Sequence, residues 1–524
     1  MSVSVLQEKS EAQHAEHAEE LQLAEEAEKV EHQESIWTIV KRNPLLLLIV
    51  AYANLGSFMY GFDNLALSIA LSMPSFGLIY GTPTAEGSFT IATMWQSLWN
   101  AMPLLTNMLG AFAAGPIADR VGRKWTFGIG AVFSIAGIAV VYVARQPGVF
   151  LAGKMVNAIS LGICLTNGQI YVSEITPLHL RGVALSAYTF SLNLGYMVAA
   201  SIAFSRVTII APSGFLAVFA SGWAWPGVLL LGMFFIPESP FYLVRKDKLE
   251  NAEKALHSIY GKNTDVKATL NNIHALNEAE TAVSYEASDA SFLECFRGTN
   301  WRRTRIILYC NALNNMIGIP IVSNGPYFMV QAGLSPAKVS MMIEIGIAFG
   351  MISSIYTFFF LTRVGRRKII FTSVGVAAVF LLMMGIAGCF PRDRSAQWTV
   401  GISLQLLWFC ISSAVGPAMA TAGEISSARL RAKSQAVGLG FNYFWSCVWN
   451  VVTPYIFNVA PGSGGLLGKT GFIFSATSVI SLVVFWLEFP ETKDRTFIEL
   501  DEMFEQKIPT RKFKEYKTHG FAAH

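Results

Sequence analysis

Charge is scarce in this chain. Only 14% of its 524 residues are Asp, Glu, Lys or Arg, while 53% are hydrophobic. Soluble domains carry about 25% charged residues, so this composition excludes an ordinary soluble enzyme. The net charge of +4 is small and points to no nucleic-acid partner. Cysteine is sparse as well. Cys164, Cys295, Cys310, Cys389, Cys410 and Cys447 form no CxxC pair and sit mostly inside apolar runs, where thiols act as small packing hydrophobes. No His/Cys/Asp cluster has metal-ligand spacing, and no cofactor is implied. Gly464 to Thr470 superficially resembles a phosphate loop, but Ser463 stands where its first glycine is required. Rings of like charge or a filter sequence, which a channel would need, are not apparent. Residues 1–36 lack the apolar core of a signal peptide, so this acidic stretch is expected to remain as a solvated cytosolic tail.

What the chain does have is long apolar runs. A spanning helix needs about 20 mostly apolar residues. Twelve stretches qualify, at roughly 45–73, 92–117, 125–144, 149–172, 184–205, 211–236, 304–331, 339–361, 369–389, 398–421, 432–458 and 470–488. The expected fold is therefore all-α, with twelve transmembrane helices in two six-helix bundles (44–236 and 304–489). A tail over 1–43, a polar linker over 237–303 and a tail over 490–524 complete the chain. Within the linker, Leu249–Tyr260 and Val266–Leu276 show helical periodicity. Basic residues cluster in alternate loops: Arg120 to Lys124, Arg245 to Lys248, Arg302 to Arg305, Arg363 to Lys368 and Arg429 to Lys433. The positive-inside rule puts that set, and both termini, in the cytoplasm of a multi-pass plasma-membrane protein.

The halves repeat at an offset of roughly 250 residues. Asp119-Arg120-Val121-Gly122-Arg123-Lys124 recurs as Thr362-Arg363-Val364-Gly365-Arg366-Arg367. Glu174 and Arg181 are spaced like Glu424 and Arg431, and Pro237-Glu238-Ser239-Pro240 recurs as Pro490-Glu491-Thr492-Lys493. Parallel six-span repeats are the construction of major facilitator transporters, with cargo held between the halves. The duplicated arginines (Arg120, Arg123, Arg181, Arg366, Arg431) and carboxylates (Asp119, Glu174, Glu238, Glu424, Glu491) are expected to pair where helix ends meet. There they would latch the two halves when the cytoplasmic side is shut.

Three charged residues fall well inside spans: Asp63, Lys154 and Glu344. A carboxylate at bilayer depth costs about 2.5–3.5 kcal/mol on insertion scales, which makes Asp63 a functional candidate. All eight histidines lie outside the spans, which argues against a histidine relay. Asp63 and Lys154 read either as a proton-coupling pair or as a structural ion pair. Glu344 reads either as a hydrated helix-end carboxylate or as a cargo or proton contact.

These motifs, together with Gly61-Phe62-Asp63, Tyr171-Val172-Ser173-Glu174 and Gly416-Pro417, resemble the sugar-porter family of the major facilitator superfamily, from about Pro44 to Phe513. The phrases around Glu424 to Lys433 and Phe504 to Phe513 are similar to fungal α-glucoside (maltose-type) permeases. The resemblance implies a secondary transporter and no enzyme. It implies a proton gradient as driving force, with Asp63 taking the coupling proton beside Lys154, which stands where the family has arginine. Partners are then a small-molecule cargo, protons and the lipid bilayer, and a monomer is expected. The family's sugar-reading positions are rewritten here. Thr189 and Tyr196 replace span-5 glutamines, Asn314-Asn315 replace a Gln-Gln pair, Pro320 replaces an asparagine and Ala420 an aromatic. Asn442 matches a family asparagine. Thr189, Tyr196, Asn314, Asn315, Asn324 and Asn442 are the candidate cargo contacts, for a sugar or glucoside or, with so many departures, for a non-sugar metabolite moved in either direction.

Overall fold

Among the described residues, long helices run back and forth through the molecule. They are α1 (Pro44–Ala70, interrupted at Asn54), α2 (Thr93–Val121), α3 (Arg123–Val143), α4 (Pro147–Ile175), α5 (Leu178–Arg206) and α6 (Ser213–Gly232, interrupted near Gly222), followed by α7 (Gly298–Ser323), α8 (Pro336–Val364), α9 (Arg366–Ala387), α10 (Arg394–Glu424), α11 (Arg431–Phe457) and α12 (Thr470–Glu488). The computed structural model describes residues 44–83, 89–260 and 292–513 apart from 177, 332, 392, 427–429, 459–462 and 493–496, together with 270, 273 and 516. Among the described residues, eleven helices are both long and apolar enough to cross a membrane. The remaining one, α11, has the length but carries Asn442, Ser446 and Asn450 along its course.

The outward faces of the helices are apolar: Phe235 is 89% exposed, and Leu48, Leu231, Phe112 and Val143 are also turned outward. Polar side chains lie inside instead, as lipid-facing helices require. Helices approach closely where glycine removes the side chain. A Cβ on Gly61 would strike the Leu192 carbonyl, and one on Gly195 the Phe58 carbonyl, so α1 and α5 cross almost backbone to backbone.

Span 7 departs from its expected bounds of 304–331. Its helix starts at Gly298, inside the stretch assigned to the linker, and stops at Met316. Gly318 then takes φ +108°, and short helices Ile319–Ser323 and Gly325–Gln331 follow. Pro320 and Pro326 supply no N–H to a continuous helix, and glycine tolerates the left-handed turn between the segments. Leu249–Tyr260 is a helix. Most of Val266–Leu276, and the acidic tail over 1–43, lie outside the described residues.

The repeated motif has a repeated geometry. Gly122 and Gly365 adopt φ of +97° and +93° at the turns entering α3 and α9. A Cβ on either would collide with the carboxylate of Glu238 or Glu491 respectively. Both positions therefore need glycine on two counts, backbone angle and space.

Between the halves, α2 packs on α11 and α5 on α8. Hydrogen bonds cross this seam at the end opposite the basic motifs. Asn458 donates to Thr93 and Gln96 (3.2 and 3.0 Å), Ser97 to the Val451 carbonyl (3.0 Å), Asn100 to Asn324 (3.0 Å) and Ser68 to the Ser323 carbonyl. Deeper in, Tyr443 donates to Asn107 (3.1 Å) and Trp408 to Asn193 (3.4 Å).

Candidate transport site

Asp63 sits on α1 about two turns from its far end, level with Lys154 on α4. The Lys154 ammonium lies 2.5 Å from Asp63 Oδ2, and Asn157 Nδ2 donates to Oδ1 at 2.9 Å. Ser134 donates to Asn157 Oδ1 at 2.7 Å, which fixes the amide's orientation. Lys154 is 2% exposed, with the Phe219 ring 5.9 Å away, whereas the Asp63 side chain keeps 16% exposure. The acid is therefore paired, oriented and still reachable. Sequence reasoning missed Asn157, although its place one turn after Lys154 on the same helix face was the available signal.

Two openings meet at Asp63. One, of about 20 Å³ among α1, α3, α4 and α6, is walled mainly by Met59, Phe62, Ile138, Leu161, Phe219 and Trp225. The other, of about 30 Å³ among α1, α2 and α4, is lined by Tyr60, Asn64, Asn100, Asn107 and Lys154 beside Trp99 and other apolar groups. Asn100 and Asn107 are also the α2 residues that bond across the seam. The α2 wall of the acid's second opening is thus shared with the seam between the halves.

That space is rich in phenols. The side chains of Tyr60, Tyr188, Tyr196 and Tyr443 lie within electrostatic reach of one another. Tyr196 packs edge-on against Trp408 with ring centroids 5.4 Å apart. Of these, only Tyr196 was singled out from the sequence. Thr189 is exposed on α5 nearby.

The expected cargo amides behave unequally. Asn315 is fully buried and donates to Asn314 Oδ1 and the Asn442 carbonyl, and Asn442 donates to the Asn311 carbonyl at 2.7 Å. Ser446 donates to Asn315 Oδ1 (3.0 Å) and to Asn442 Oδ1 (3.3 Å). The α7 and α11 amides therefore tie two helices together, leaving half-buried Asn314 and Asn442 at the margin of the space. Asn324 is buried in the seam and belongs to the closed end of the molecule. In this conformation, Asn315 and Asn324 do not face open space. Glu344 is half-buried on α8, with no ion pair among the described residues.

At the basic end the two halves carry equivalent clusters. Arg123 grips Glu174 through Nε (2.9 Å) and Nη2 (2.7 Å), and Ser239 donates to the same carboxylate. Arg366 binds Glu424 at 2.5 Å, where Thr492 also donates. Glu238 and Glu491 are used differently from the expected arginine forks. Glu238 accepts the backbone N–H groups of Arg123 (2.8 Å) and Lys124, and Glu491 those of Arg366 (3.0 Å) and Arg367 (3.2 Å). Each carboxylate thus closes the start of a helix, where unsatisfied N–H groups and the helix dipole favour an anion. Burial pushes the Glu238 carboxyl up from its ordinary pKa, against the pull of those donors. Asp119 lies 3.2 Å from Arg123 and 3.3 Å from Arg245. Arg120 is exposed and its carbonyl accepts from Tyr242, while the side chains of Arg181 and Arg431 lie outside the described residues. Each pair named here joins elements of one half, so among the described residues these pairs make no latch across the halves, and the seam is bonded at the opposite end.

The family model for "sugar (and other) transporter" matches residues 49–504. The chain belongs to that family. Among relatives, the MFS transporter fmqE of Aspergillus fumigatus is 29% identical over 503 residues, covering 93% of this chain and 92% of its own. The general alpha-glucoside permease of Saccharomyces cerevisiae is 30% identical over 463 residues, covering 87% and 74%. Among solved structures, the inward-open xylose transporter XylE from Escherichia coli superposes with a TM-score of 0.69 at 18% identity, covering 87% of this chain and 99% of that one. That likeness fixes the major facilitator fold. This member of the family is a multi-pass membrane transporter of small molecules and not an enzyme.

Proposed function

We propose that this transporter takes up a sugar or glucoside in symport with protons across the plasma membrane, as a monomer with both termini in the cytoplasm. The observation that carries the reading is the Asp63 site. Its acid is held between a cation and an oriented amide, and opens onto a polar cavity whose α2 wall is shared with the seam. Desolvation favours the neutral acid and the ammonium favours the ionised one. A change in hydration as the halves rock then loads and unloads a proton. On this reading the seam-bonded end is the outer side, so the conformation faces the cytoplasm. The printed identity of one relative as an alpha-glucoside permease supports the cargo class.

One observation favours a second reading, a non-sugar metabolite. Sugars are read by amides that donate and accept freely, but here Asn315 is used up in joining α7 to α11, and the phenols of Tyr60, Tyr188, Tyr196 and Tyr443 gather between α1, α5 and α11. Radiolabelled uptake into proteoliposomes, across a panel of sugars, glucosides and aromatic metabolites and with and without a pH gradient, tests both. Gradient-driven accumulation of a sugar or glucoside is expected. Accumulation of aromatic cargo alone would replace the first reading with the second.

A further inference from the structure

We infer that the Asn100–Asn324 amide pair is the gate through which external protons reach Asp63, an inference that rests on the proton-coupled reading above. Inside the first half, both openings at the acid end on a plug of rings in a herringbone: Trp99, on the wall of the α2 opening, packs on Phe76 (5.6 Å), Tyr80 (5.6 Å) and Phe150 (5.2 Å), and Phe150 packs on Phe219 (5.6 Å), on the wall of the other. Trp99 and Phe150 are fully buried. A proton relay needs hydrogen-bonding partners at each step, and this plug offers almost none.

Towards the seam, the wall of the α2 opening is made of amides instead. Ser68, Gln96, Ser97 and Asn458 bond across the seam, but none of them lines that opening. Asn107 and Asn100 do both. Asn107 accepts from Tyr443 deeper in, whereas Asn100 Nδ2 donates to Asn324 Oδ1 at 3.0 Å at the closed end while its side chain forms a wall of the Asp63 cavity. The pair is also held rigidly on each side. Asn100 donates to the Gln96 carbonyl at 3.0 Å, and Asn324 to the Pro320 carbonyl at 2.9 Å, in the short helix beyond the Gly318 break. Movement of that short helix away from α2 must break the amide bond and admit water to the cavity. Apart from the phenol of Tyr60, Asp63 and Lys154 are the only titratable groups lining either opening. Asn100 is a positioning residue: it never takes the proton, but ties access to the acid to closure of the outer seam.

The test uses the full-length carrier bearing Leu67→Cys, a position on the wall of the same opening. It is probed in cells with a membrane-impermeant maleimide, against the parent with its native cysteines. Interhelical bonds in membranes average about 0.6 kcal/mol, so loss of this one shifts the gate by about 3-fold. Asn100→Ala and Asn324→Ala are each expected to raise the labelling rate about 3-fold, and the double variant no further. Asn100→Ser, which keeps a small polar group, serves if the alanine variant does not fold. Proton flux per cargo should rise in the same variants, because protons leak in through the loosened gate. Unchanged labelling in folded variants overturns the gate. Raised labelling in a carrier whose parent moves no protons instead overturns the coupling reading and leaves the seam contact standing as a water gate.

Discussion

Replacing Asp63 with asparagine removes the titrating group while keeping its size and its contact with Asn157. The expected loss can be worked out from the driving force. One pH unit across the membrane is worth about 1.36 kcal/mol per proton, or tenfold accumulation at one proton per cargo. A potential of 100 mV adds about 2.3 kcal/mol, a further factor of roughly 50. Asp63→Asn should therefore drop accumulation in proteoliposomes with a one-unit inward gradient from about tenfold to parity. Counterflow of labelled against unlabelled cargo, which needs no net proton movement, should persist. The substitution strands Lys154, 2% exposed, without its counter-charge, and an uncompensated buried charge costs about 3–5 kcal/mol. The double variant Asp63→Asn with Lys154→Met removes both charges and should restore protein level without restoring accumulation. If either variant still accumulates cargo against the gradient, Asp63 does not couple the proton.

Lys154→Arg keeps the cation beside Asp63 and should retain accumulation, whereas Lys154→Ala leaves the carboxylate unpaired and should abolish it in the same uptake assay. Gly122→Ala and Gly365→Ala force a left-handed residue costing about 1–2 kcal/mol and push against Glu238 or Glu491, so each should lower the melting temperature of the purified carrier by several degrees. Glu238 predicts a pH dependence. Because burial raises its folded pKa above the unfolded value, the folded state holds the proton more tightly. The associated stability is present below the ordinary glutamate range and is lost as pH rises through the folded pKa. A melting scan upward from about pH 4.3, the ordinary glutamate value, should show a decline in the parent that Glu238→Gln lacks. Parallel curves would refute the assignment.

Much of the architecture was written in one-dimensional signals. Apolar length marked the helices, and the spacing of Arg123, Glu174 and Glu238 against Arg366, Glu424 and Glu491 marked the duplication. The roles inside each cluster were not legible at that level. A glutamate two residues past the end of a span looks the same whether it meets a guanidinium, as Glu174 does, or the open N–H groups of a helix start, as Glu238 does. Only the turn at Gly122 decides between them, by bringing the start of α3 under the carboxylate. The break at Gly318 was hidden for a similar reason: glycine and proline inside an apolar run are compatible with a continuous membrane helix until neighbours fix the path.

The cargo side was least legible because amides advertise capacity, not availability. Asn314, Asn315, Asn324 and Asn442 look alike on paper, and their helical rotation and partners separate them. Asn315 closes an α7–α11 joint, Asn324 closes the seam, and Asn314 and Asn442 remain at the margin of the space. Apart from Tyr196, the tyrosines went unnoticed for the converse reason. Aromatic residues in a membrane helix are ordinary, and only the convergence of α1, α5 and α11 turns Tyr60, Tyr188, Tyr196 and Tyr443 into one wall. The same convergence explains why the acid and the cargo space need no separate wiring. Asn107 on α2 borders the Asp63 cavity and also accepts from Tyr443 of the opposite half, so any motion of α11 that admits cargo also disturbs the polar lining of the proton site.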